Sequence, residues 1–313
     1  MSHKKNNRTL FIVFGVLLVA VVANYVIKNS RGERTFRDDI IDYKAEDISR
    51  ITFGKAANNQ ETALFREDTV WKLQAGDQKF PADQDLANQI VEELAFITAE
   101  RLVATKKDLW KEYDVTDSAG VKLTVYGPKK SKTGLIIGRF SYNQSNRQPS
   151  TFLRLEGENE VFAVEGYLGM VFNRDINSLR DKNIFKGNRD DLTRLTFTYP
   201  DSSFTVVKEN NVWLCEGIPA DSARVSNYLN TVAYLTGMEF RDDFSSESAT
   251  GTPLKLLIEG TNIQSAELKC YTDPIGRVVV SSLNPETFFS ADKGDLFLRI
   301  FKGRSFFVPG ITN

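Results

Sequence analysis

The stretch PADQDLANQIVEELAFITA, at Pro81–Ala99, recurs as PADSARVSNYLNTVAYLTG at Pro219–Gly237. In both copies an aspartate follows Pro-Ala and precedes apolar residues spaced three and four positions apart. This pattern is typical of an amphipathic helix that the aspartate caps at its N-terminus. We therefore predict helices that begin after Asp83 and Asp221, each with one apolar face on a core.

Further blocks repeat in the same order around these helices. DISRITF at Asp47–Phe53 is echoed by DLTRLTF at Asp191–Phe197, and each helical stretch follows a Val-Trp pair that contains Trp71 or Trp213. Agreement of several blocks in one order, at nearly constant separation, indicates an internal duplication. We expect Trp71 and Trp213 to be buried at equivalent positions against the two helices.

The sequence pattern of each repeat predicts strands that are grouped together, with few helices among them. Segregated strands and helices favour an α+β fold over a doubly wound α/β sheet. We predict a tandem duplicated unit of antiparallel strands with one main amphipathic helix per unit, the first repeat at 47–188 and the second at 189–313. The predicted strands are 48–53, 62–66, 69–73, 121–126, 134–140, 151–155, 161–164, 192–197, 204–208, 212–215, 254–258, 266–271 and 277–282, with shorter helices at 108–113 and 167–172.

The composition is that of a folded chain with two cores. Of the 313 residues 41% are hydrophobic, and the 22 Phe predict a large aromatic core. The formal net charge of −1 gives no general attraction to nucleic acid, so we expect no nucleic-acid partner. Cys215 and Cys270 lie in strand-like runs, which favours buried free thiols over a disulfide.

The N-terminus predicts a membrane anchor. TLFIVFGVLLVAVVANYVI, at 9–27, carries no charge, and a helix of this length spans about 28 Å, close to the hydrocarbon thickness of a bilayer. Basic residues precede the run, so a signal peptide cleaved after Ala23 is the alternative. We predict a cytoplasmic tail at 1–8, a transmembrane helix at 9–27 and a linker at 28–46.

The location of the protein follows from this anchor. Basic residues flank the span on both sides and do not fix its orientation. We expect a single-pass protein of a bacterial inner membrane, with the bulk of the chain in the periplasm. The linker is predicted to be a solvated spacer or, because of Ile40, Ile41 and Tyr43, an apolar contact strip.

The spaced pattern of the first repeat resembles a known family. Proteins of the DUF4340 family, which are bacterial and membrane-anchored, are similar to this chain in the pattern ITF…VWKL…PAD…AERLV…DLWKEYDV…VKLTVYG…LIIGRF…TFLRL…VFAVEGYL…LRDKNIF. The resemblance covers roughly Asp47–Phe185 well and the second repeat more loosely. It implies association with ABC transporters of the gliding-motility type and brings no catalytic motif.

Catalytic groups are scarce in this sequence. The one histidine is His3, in the N-terminal tail, so the folded repeats lack Ser-His, Cys-His and His-metal arrangements. Adjacent aspartates at 38–39, 190–191 and 242–243 are expected to be solvated loop residues and not acid and base pairs. We predict a protein that is not an enzyme and that uses no cofactor or metal.

Two stretches are candidate sites for partner binding. GPKKSKTG, at Gly127–Gly134, lacks the residue order of a Walker phosphate loop and precedes a strand, so it predicts a basic hairpin tip. Lys129, Lys130 and Lys132 would contact lipid phosphates or an acidic partner there; the alternative is an ordinary soluble turn.

The second candidate is the C-terminal stretch Phe306, Phe307 and Val308. It lies beyond RIFKG at 299–303, which parallels NIFKG at 183–187 and suggests an equivalent repeat ending. If exposed, these three side chains form an apolar docking patch; if buried, they belong to the core of the second repeat.

A repeated unit without catalytic groups, on a membrane tether, enlarges a surface and does not duplicate a reaction centre. We therefore expect a non-enzymatic, membrane-anchored accessory or scaffold protein, a periplasm-facing partner of an ABC-transporter-type membrane complex. The alternative is a periplasmic ligand-binding module that holds a glycan, lipid or peptide in the cleft between the two repeats.

Overall fold

The computed structural model describes residues 37–55, 61–145 and 147–310. The predicted tail and the anchor at 9–27 lie outside the described residues. Within these ranges, no helix has the length and apolar character needed to cross a membrane. The chain divides into two compact units: unit 1 contains the residues up to Glu61 and Gln89–Arg174, and unit 2 contains Thr62–Asn88 and the chain from Asp175 onward. The repeat boundaries at 47–188 and 189–313 are a different division and stay a prediction.

Unit 1 is built on an antiparallel sheet with the strand order β1-β6-β10-β9-β8-β7-β2. Its alternation matches the sequence pattern: in β7, Val121, Leu123 and Val125 are buried while Lys122 is exposed. Strands are numbered along the chain, and those of unit 1 are β1 (Asp39–Asp42), β2 (Arg50–Lys55), β6 (Phe96–Ala104), β7 (Val121–Tyr126), β8 (Lys132–Asn143), β9 (Gln148–Leu155) and β10 (Val161–Glu165).

Strand β1 corrects the predicted linker. Ile40 and Ile41 are both buried, and Ile41 lies opposite Ile97 of β6. The register of β1 shifts between Asp39 and Ile41, and such an irregularity interrupts the usual alternation of faces, so two successive isoleucines can both be buried. The described end of the linker is therefore part of the folded sheet and not a solvated spacer.

Unit 2 contains a meander of β3, β4 and β5, a two-stranded sheet of β11 and β16, and an antiparallel sheet with the order β15-β14-β13-β12-β17-β18-β19-β20. The sheets are antiparallel with few helices, which confirms the α+β prediction. The strands of unit 2 are β3 (Thr62–Glu67), β4 (Val70–Ala75), β5 (Gln78–Pro81), β11 (Asn183–Lys186), β12 (Leu192–Tyr199), β13 (Ser202–Glu209), β14 (Val212–Cys215), β15 (Ile218–Pro219), β16 (Tyr234–Thr236), β17 (Thr250–Gly260), β18 (Ala266–Thr272), β19 (Arg277–Ser281) and β20 (Asn284–Ser290).

The two units share a strand order. The run β2-β7-β8-β9-β10 of unit 1 corresponds to β12-β17-β18-β19-β20 of unit 2. The strands after the main helices also match, since Phe96 of β6 lies opposite Asp42 and Tyr234 of β16 lies opposite Lys186. The two sheets have this part of their strand order in common, and the duplication itself stays a prediction.

The two main helices begin where the sequence predicts. Leu86 N donates to Asp83 Oδ1 over 3.1 Å, and Ala223 N and Arg224 N both donate to Asp221 Oδ1 over 3.0 Å. Each aspartate thus satisfies backbone donors that the first helical turn leaves unpaired. The helices are α1 (Gln84–Ala95), α2 (Leu168–Val171), α3 (Ser222–Val232), α4 (Leu296–Ile300) and α5 (Arg304–Phe307), and 3₁₀ turns occur at Ala45–Asp47, Lys107–Tyr113, Pro128–Lys130, Ile176–Ser178, Arg189–Asp191, Ser246–Ser248 and Lys293–Asp295.

The two tryptophans occupy equivalent main-chain positions, since Ala82 N donates to Trp71 O over 3.3 Å and Ala220 N donates to Trp213 O over 2.9 Å, but the expectation that both are buried is wrong. Trp71 is 1% exposed, and its indole Nε1 donates to Asn88 Oδ1 over 2.9 Å. Trp213 is only half-buried. In α3, Ser226 stands at the position that corresponds to Asn88, and its hydroxyl accepts a hydrogen bond from Arg189 instead of from a tryptophan.

Candidate binding sites

A hairpin places three lysines at one tip of unit 1. Strands β7 and β8 pair from Val121 opposite Ile137 to Tyr126 opposite Lys132, which confirms the predicted hairpin. Lys129, Lys130 and Lys132 are all exposed, and none of them forms an ion pair with a residue of the described ranges. We call these three residues the lysine tip.

The backbone of the lysine tip is held in an unusual conformation. Lys129 and Lys130 have φ angles of 53° and 65°, a left-handed region that costs free energy for residues with a Cβ. Below them, a Cβ on Gly127 would lie 2.6 Å from the Tyr43 ring, so only glycine fits. The Tyr43 hydroxyl is also hydrogen-bonded to Thr133 Oγ1 over 2.9 Å. The tip is therefore fixed to the segment that follows β1.

The C-terminal phenylalanines do not form an exposed patch. Phe307 is fully buried, Val308 is 8% exposed and Phe306 is half-buried. The Phe307 carbonyl accepts a hydrogen bond from Asp221 N over 2.8 Å, so α5 folds onto the start of α3. This contact turns the apolar side chains inward, and the core alternative holds for Phe307 and Val308.

The parallel between NIFKG and RIFKG is also wrong. Asn183–Lys186 forms strand β11, whereas Leu296–Ile300 is helix α4 and ends within the second copy of the motif. The two helix starts do share a main-chain hydrogen bond: Asp83 N donates to Leu179 O over 2.9 Å, and Asp221 N donates to Phe307 O over 2.8 Å. Similar short strings thus take different structures here.

Unit 2 contains an open cleft of about 420 Å³ beside the buried phenylalanines. Its walls are two ring pairs, with centroids 6.3 Å apart in the Tyr199–Phe204 pair and 5.5 Å apart in the Phe297–Phe301 pair. The Tyr199 hydroxyl donates to Lys302 O over 2.7 Å, and burial raises the pKa of Tyr199 to about 12. The hydroxyl therefore remains a neutral donor at physiological pH.

The polar side of this aromatic cleft is cationic. Arg304 lines it, forms no ion pair within the described part of the chain, and has a buried Nε without a hydrogen-bond partner there. Lys302, whose ammonium lies 5.0 Å from the Phe306 ring centroid, has its pKa lowered by burial. An uncompensated cation beside aromatic rings is suited to an anionic ligand with an apolar body.

The chain from Trp71 to Thr252 matches the model of the family described as Domain of unknown function (DUF4340). The protein belongs to the DUF4340 family. No curated protein and no solved structure matches it. The family match includes the lysine tip of this DUF4340 protein and the Tyr199–Phe204 wall of the cleft, but it ends before Phe297 and Arg304.

The aspartates at 242–243 are exposed turn residues, as the sequence predicts, and each is also paired with an arginine. Asp242 makes a bidentate ion pair with Arg180, at 2.6 and 2.7 Å, and the Arg180 side chain is almost fully buried. The guanidinium carbon of Arg180 lies 3.9 Å from the ring centroid of Phe80 and 3.6 Å from that of Phe240. Asp242 thus neutralises a buried cation in this DUF4340 protein.

The neighbouring aspartate is bound in a second pair. Arg241 Nε donates to Asp243 Oδ1 over 2.9 Å, and Arg241 Nη2 donates to Asp273 Oδ2 over 2.7 Å. The hydrogen bond from Arg241 lowers the pKa of Asp243. Burial acts to raise the pKa of Asp273, but hydrogen bonds from Gly276 N and Arg241 lower it below its usual value. Both carboxyls remain ionised partners of arginine, so neither is suited to act as a general acid at neutral pH.

The two cysteines are free and buried, as predicted. Burial raises the pKa of Cys270 to about 12, and it raises the pKa of Cys215 more than the nearby Arg304 lowers it. Both side chains are therefore neutral thiols at physiological pH and poor nucleophiles. Within the residues that the structure describes, no group of three His, Cys, Asp or Glu side chains is placed to hold a metal ion.

Proposed function

We propose that this DUF4340 protein is a non-enzymatic accessory or scaffold protein, anchored in a bacterial inner membrane, that binds a partner in an ABC-transporter-type complex on the periplasmic face. The observation that carries the proposal is the lysine tip. Its three exposed lysines lack ion pairs in the described chain, and Tyr43 fixes the hairpin beside the first folded segment.

The short linker after the predicted anchor favours a binding site close to the membrane. Because β1 begins at Asp39, only residues 28–38 separate the folded unit from the predicted anchor, which ends at Ile27. A chain of that length spans at most about 40 Å. The lysine tip lies in the hairpin whose Thr133 is hydrogen-bonded to Tyr43, just after β1, and would therefore work near the membrane surface or near the exposed part of a membrane complex.

The charge of the tip favours acidic partners. Each lysine near an anionic surface contributes about 1 kcal/mol of attraction, and complementary charge across a protein interface speeds association and selects the partner. The pairing of Asp242 and Asp243 with arginines, and the protonated thiols, support binding over catalysis, because these groups are occupied in stabilising the fold.

The experiment is affinity purification of the tagged protein from membranes of its native host. We expect a triple charge reversal of the lysine tip, Lys129→Glu, Lys130→Glu and Lys132→Glu, to abolish co-purification of partner proteins. The matched control reverses three other exposed lysines of unit 1, Lys55→Glu, Lys106→Glu and Lys111→Glu, and should retain the partners. Identical partner recovery for the wild type and both variants, with each protein folded and in the membrane, contradicts the proposed role of the tip.

Ligand binding is the second candidate function. The sequence predicts such a ligand in a cleft between the two repeats. The specific observation that favours ligand binding is instead the aromatic cleft within unit 2, where Arg304 lies beside two ring pairs.

A further inference from the structure

Arg304 differs from the arginines that the fold buries. Arg154, Arg180 and Arg241 are the buried arginines of the described chain, and each has a carboxylate partner: Asp117, Asp242 and Asp273, respectively. This pairing is expected, because an unpaired charge in a low-dielectric interior is costly. Arg304 reaches toward the buried Cys215 and has no such partner in the ranges described. Its charge is available to a ligand.

The shape of the cleft indicates which uncharged group the ligand carries beside its anionic group. The Tyr199–Phe204 and Phe297–Phe301 ring pairs supply flat apolar walls, and Phe204 is supported from below by the buried Phe307, whose ring centroid lies 6.1 Å away. Ser202 and Ser203 also line the cleft, and both residues are exposed, so the cleft opens to solvent at this rim. A volume of about 420 Å³ is at the small end of ligand sites and suits one compact group.

We propose that this cleft binds a carboxylate carried on an aromatic or branched apolar group, with the carboxylate on Arg304 and the apolar group between the ring walls. A guanidinium matches a carboxylate in charge and in planar geometry, and the rings contribute apolar contact area. A free organic acid and the C-terminal residue of a polypeptide share this chemistry. The site lies wholly within unit 2 and does not rest on the proposed role of the lysine tip.

Calorimetric titration of the 313-residue chain, held in lipid nanodiscs, tests the proposal. The probes are N-acetyl-Gly-Gly-Phe with a free carboxylate, the same peptide as its C-terminal amide, and 3-phenylpropionate. We expect the peptide acid to bind at least about tenfold more tightly than the amide, because the amide lacks the charged hydrogen bond to Arg304. Tighter binding of the peptide acid than of 3-phenylpropionate identifies a polypeptide terminus as the ligand, and equal binding identifies a free acid.

Substitutions in the cleft distinguish the contribution of the Arg304 charge to binding from that of the aromatic rings. Arg304→Gln should reduce the affinity for the peptide acid to that for the amide and leave the amide unchanged, while Arg304→Lys should restore part of the difference. Phe297→Leu should weaken acid and amide alike. The control Arg147→Gln removes an exposed positive charge of unit 1 and should change nothing.

The thermal midpoint of each variant shows whether it is folded. The proposal is overturned if the wild type binds acid and amide equally, if no probe binds at millimolar concentration, or if a folded Arg304→Gln variant keeps full affinity for the peptide acid. These results are independent of partner recovery in the charge-reversal experiment, so either proposal can fail alone.

Discussion

Helices α1 and α3 both follow Pro-Ala-Asp and hold their tryptophans very differently. At α1, the Gln84 side chain binds the main chain of Trp71 on both sides, since Trp71 N donates to Oε1 over 2.8 Å and Nε2 donates to Trp71 O over 2.9 Å. The Asn88 amide accepts the indole hydrogen bond. Two polar side chains thus fix the ring in the core.

At α3 the same two positions are Ser222 and Ser226. A serine hydroxyl reaches only one bond beyond Cβ, and that of Ser226 instead accepts a hydrogen bond from Arg189 over 3.1 Å. Trp213 is half-buried as a result. The comparison teaches that the apolar pattern sets the helix, while the length of two polar side chains decides how deeply a neighbouring tryptophan is buried.

The largest expected effect is the difference between the tryptophans. Trp71→Ala should lower the free energy of unfolding by about 3 to 5 kcal/mol, because it leaves a cavity and removes the hydrogen-bond donor to the Asn88 side chain. Trp213→Ala should cost less than half as much, since part of that ring is already in solvent. Urea unfolding of both variants measures the difference. Equal losses of free energy would show that the hydrogen bonds of Gln84 and Asn88 do not make Trp71 more stabilising than Trp213.

A second contrast between the two helices concerns the residue that follows each carbonyl acceptor, Leu179 for Asp83 N and Phe307 for Asp221 N. Arg180 follows Leu179 at α1, whereas the apolar Val308 follows Phe307 at α3. Asp242→Asn should lower the free energy of unfolding by about 2 kcal/mol. It leaves the Arg180 charge buried and unpaired, although the exposure of Asp242 moderates the cost.

The double variant Arg180→Met with Asp242→Asn serves as its control and should recover much of that stability, because Met fills a similar space without a charge. Chemical unfolding of the wild type, Arg180→Met, Asp242→Asn and the double variant forms a double-mutant cycle. If Asp242→Asn were as stable as the wild type, solvent would already compensate the charge of Arg180.

The smallest expected effect concerns the Gln84 side chain, which binds the main chain of Trp71. Gln84→Ala should cost about 1 to 2 kcal/mol, because it removes hydrogen bonds to the main chain of Trp71. The matched substitution Ser222→Ala should cost only a few tenths of a kcal/mol, and thermal unfolding reports both. If the two losses were the same, the difference in tryptophan burial would need another cause.

Local patterns in the sequence are sufficient for much of this fold. The capping aspartates, the three- and four-residue spacing and the alternation in β7 depend on neighbours within a few residues, so the helices after Asp83 and Asp221 and most strands appear where predicted. Strands β1, β5, β6, β11, β15, β16 and β20 are not among the predicted ones. Five of them have four residues or fewer, and β20 contains Asn, Pro and Glu, so partner strands and not local propensity define them. Strand β6 begins at Phe96, directly after α1 and inside the stretch whose spacing predicts the helix.

The sequence by itself determined the α+β class, the two capped helices, the lysine tip and membership of the DUF4340 family. Only the tertiary structure decided that Phe307 is core, that Asp242 neutralises Arg180 and that Arg304 lines an aromatic cleft. The physical reason is distance along the chain. Burial and charge pairing depend on residues that folding brings together from far apart in sequence, such as Asp221 with Phe307, and a local pattern carries no information about which distant group a side chain will meet.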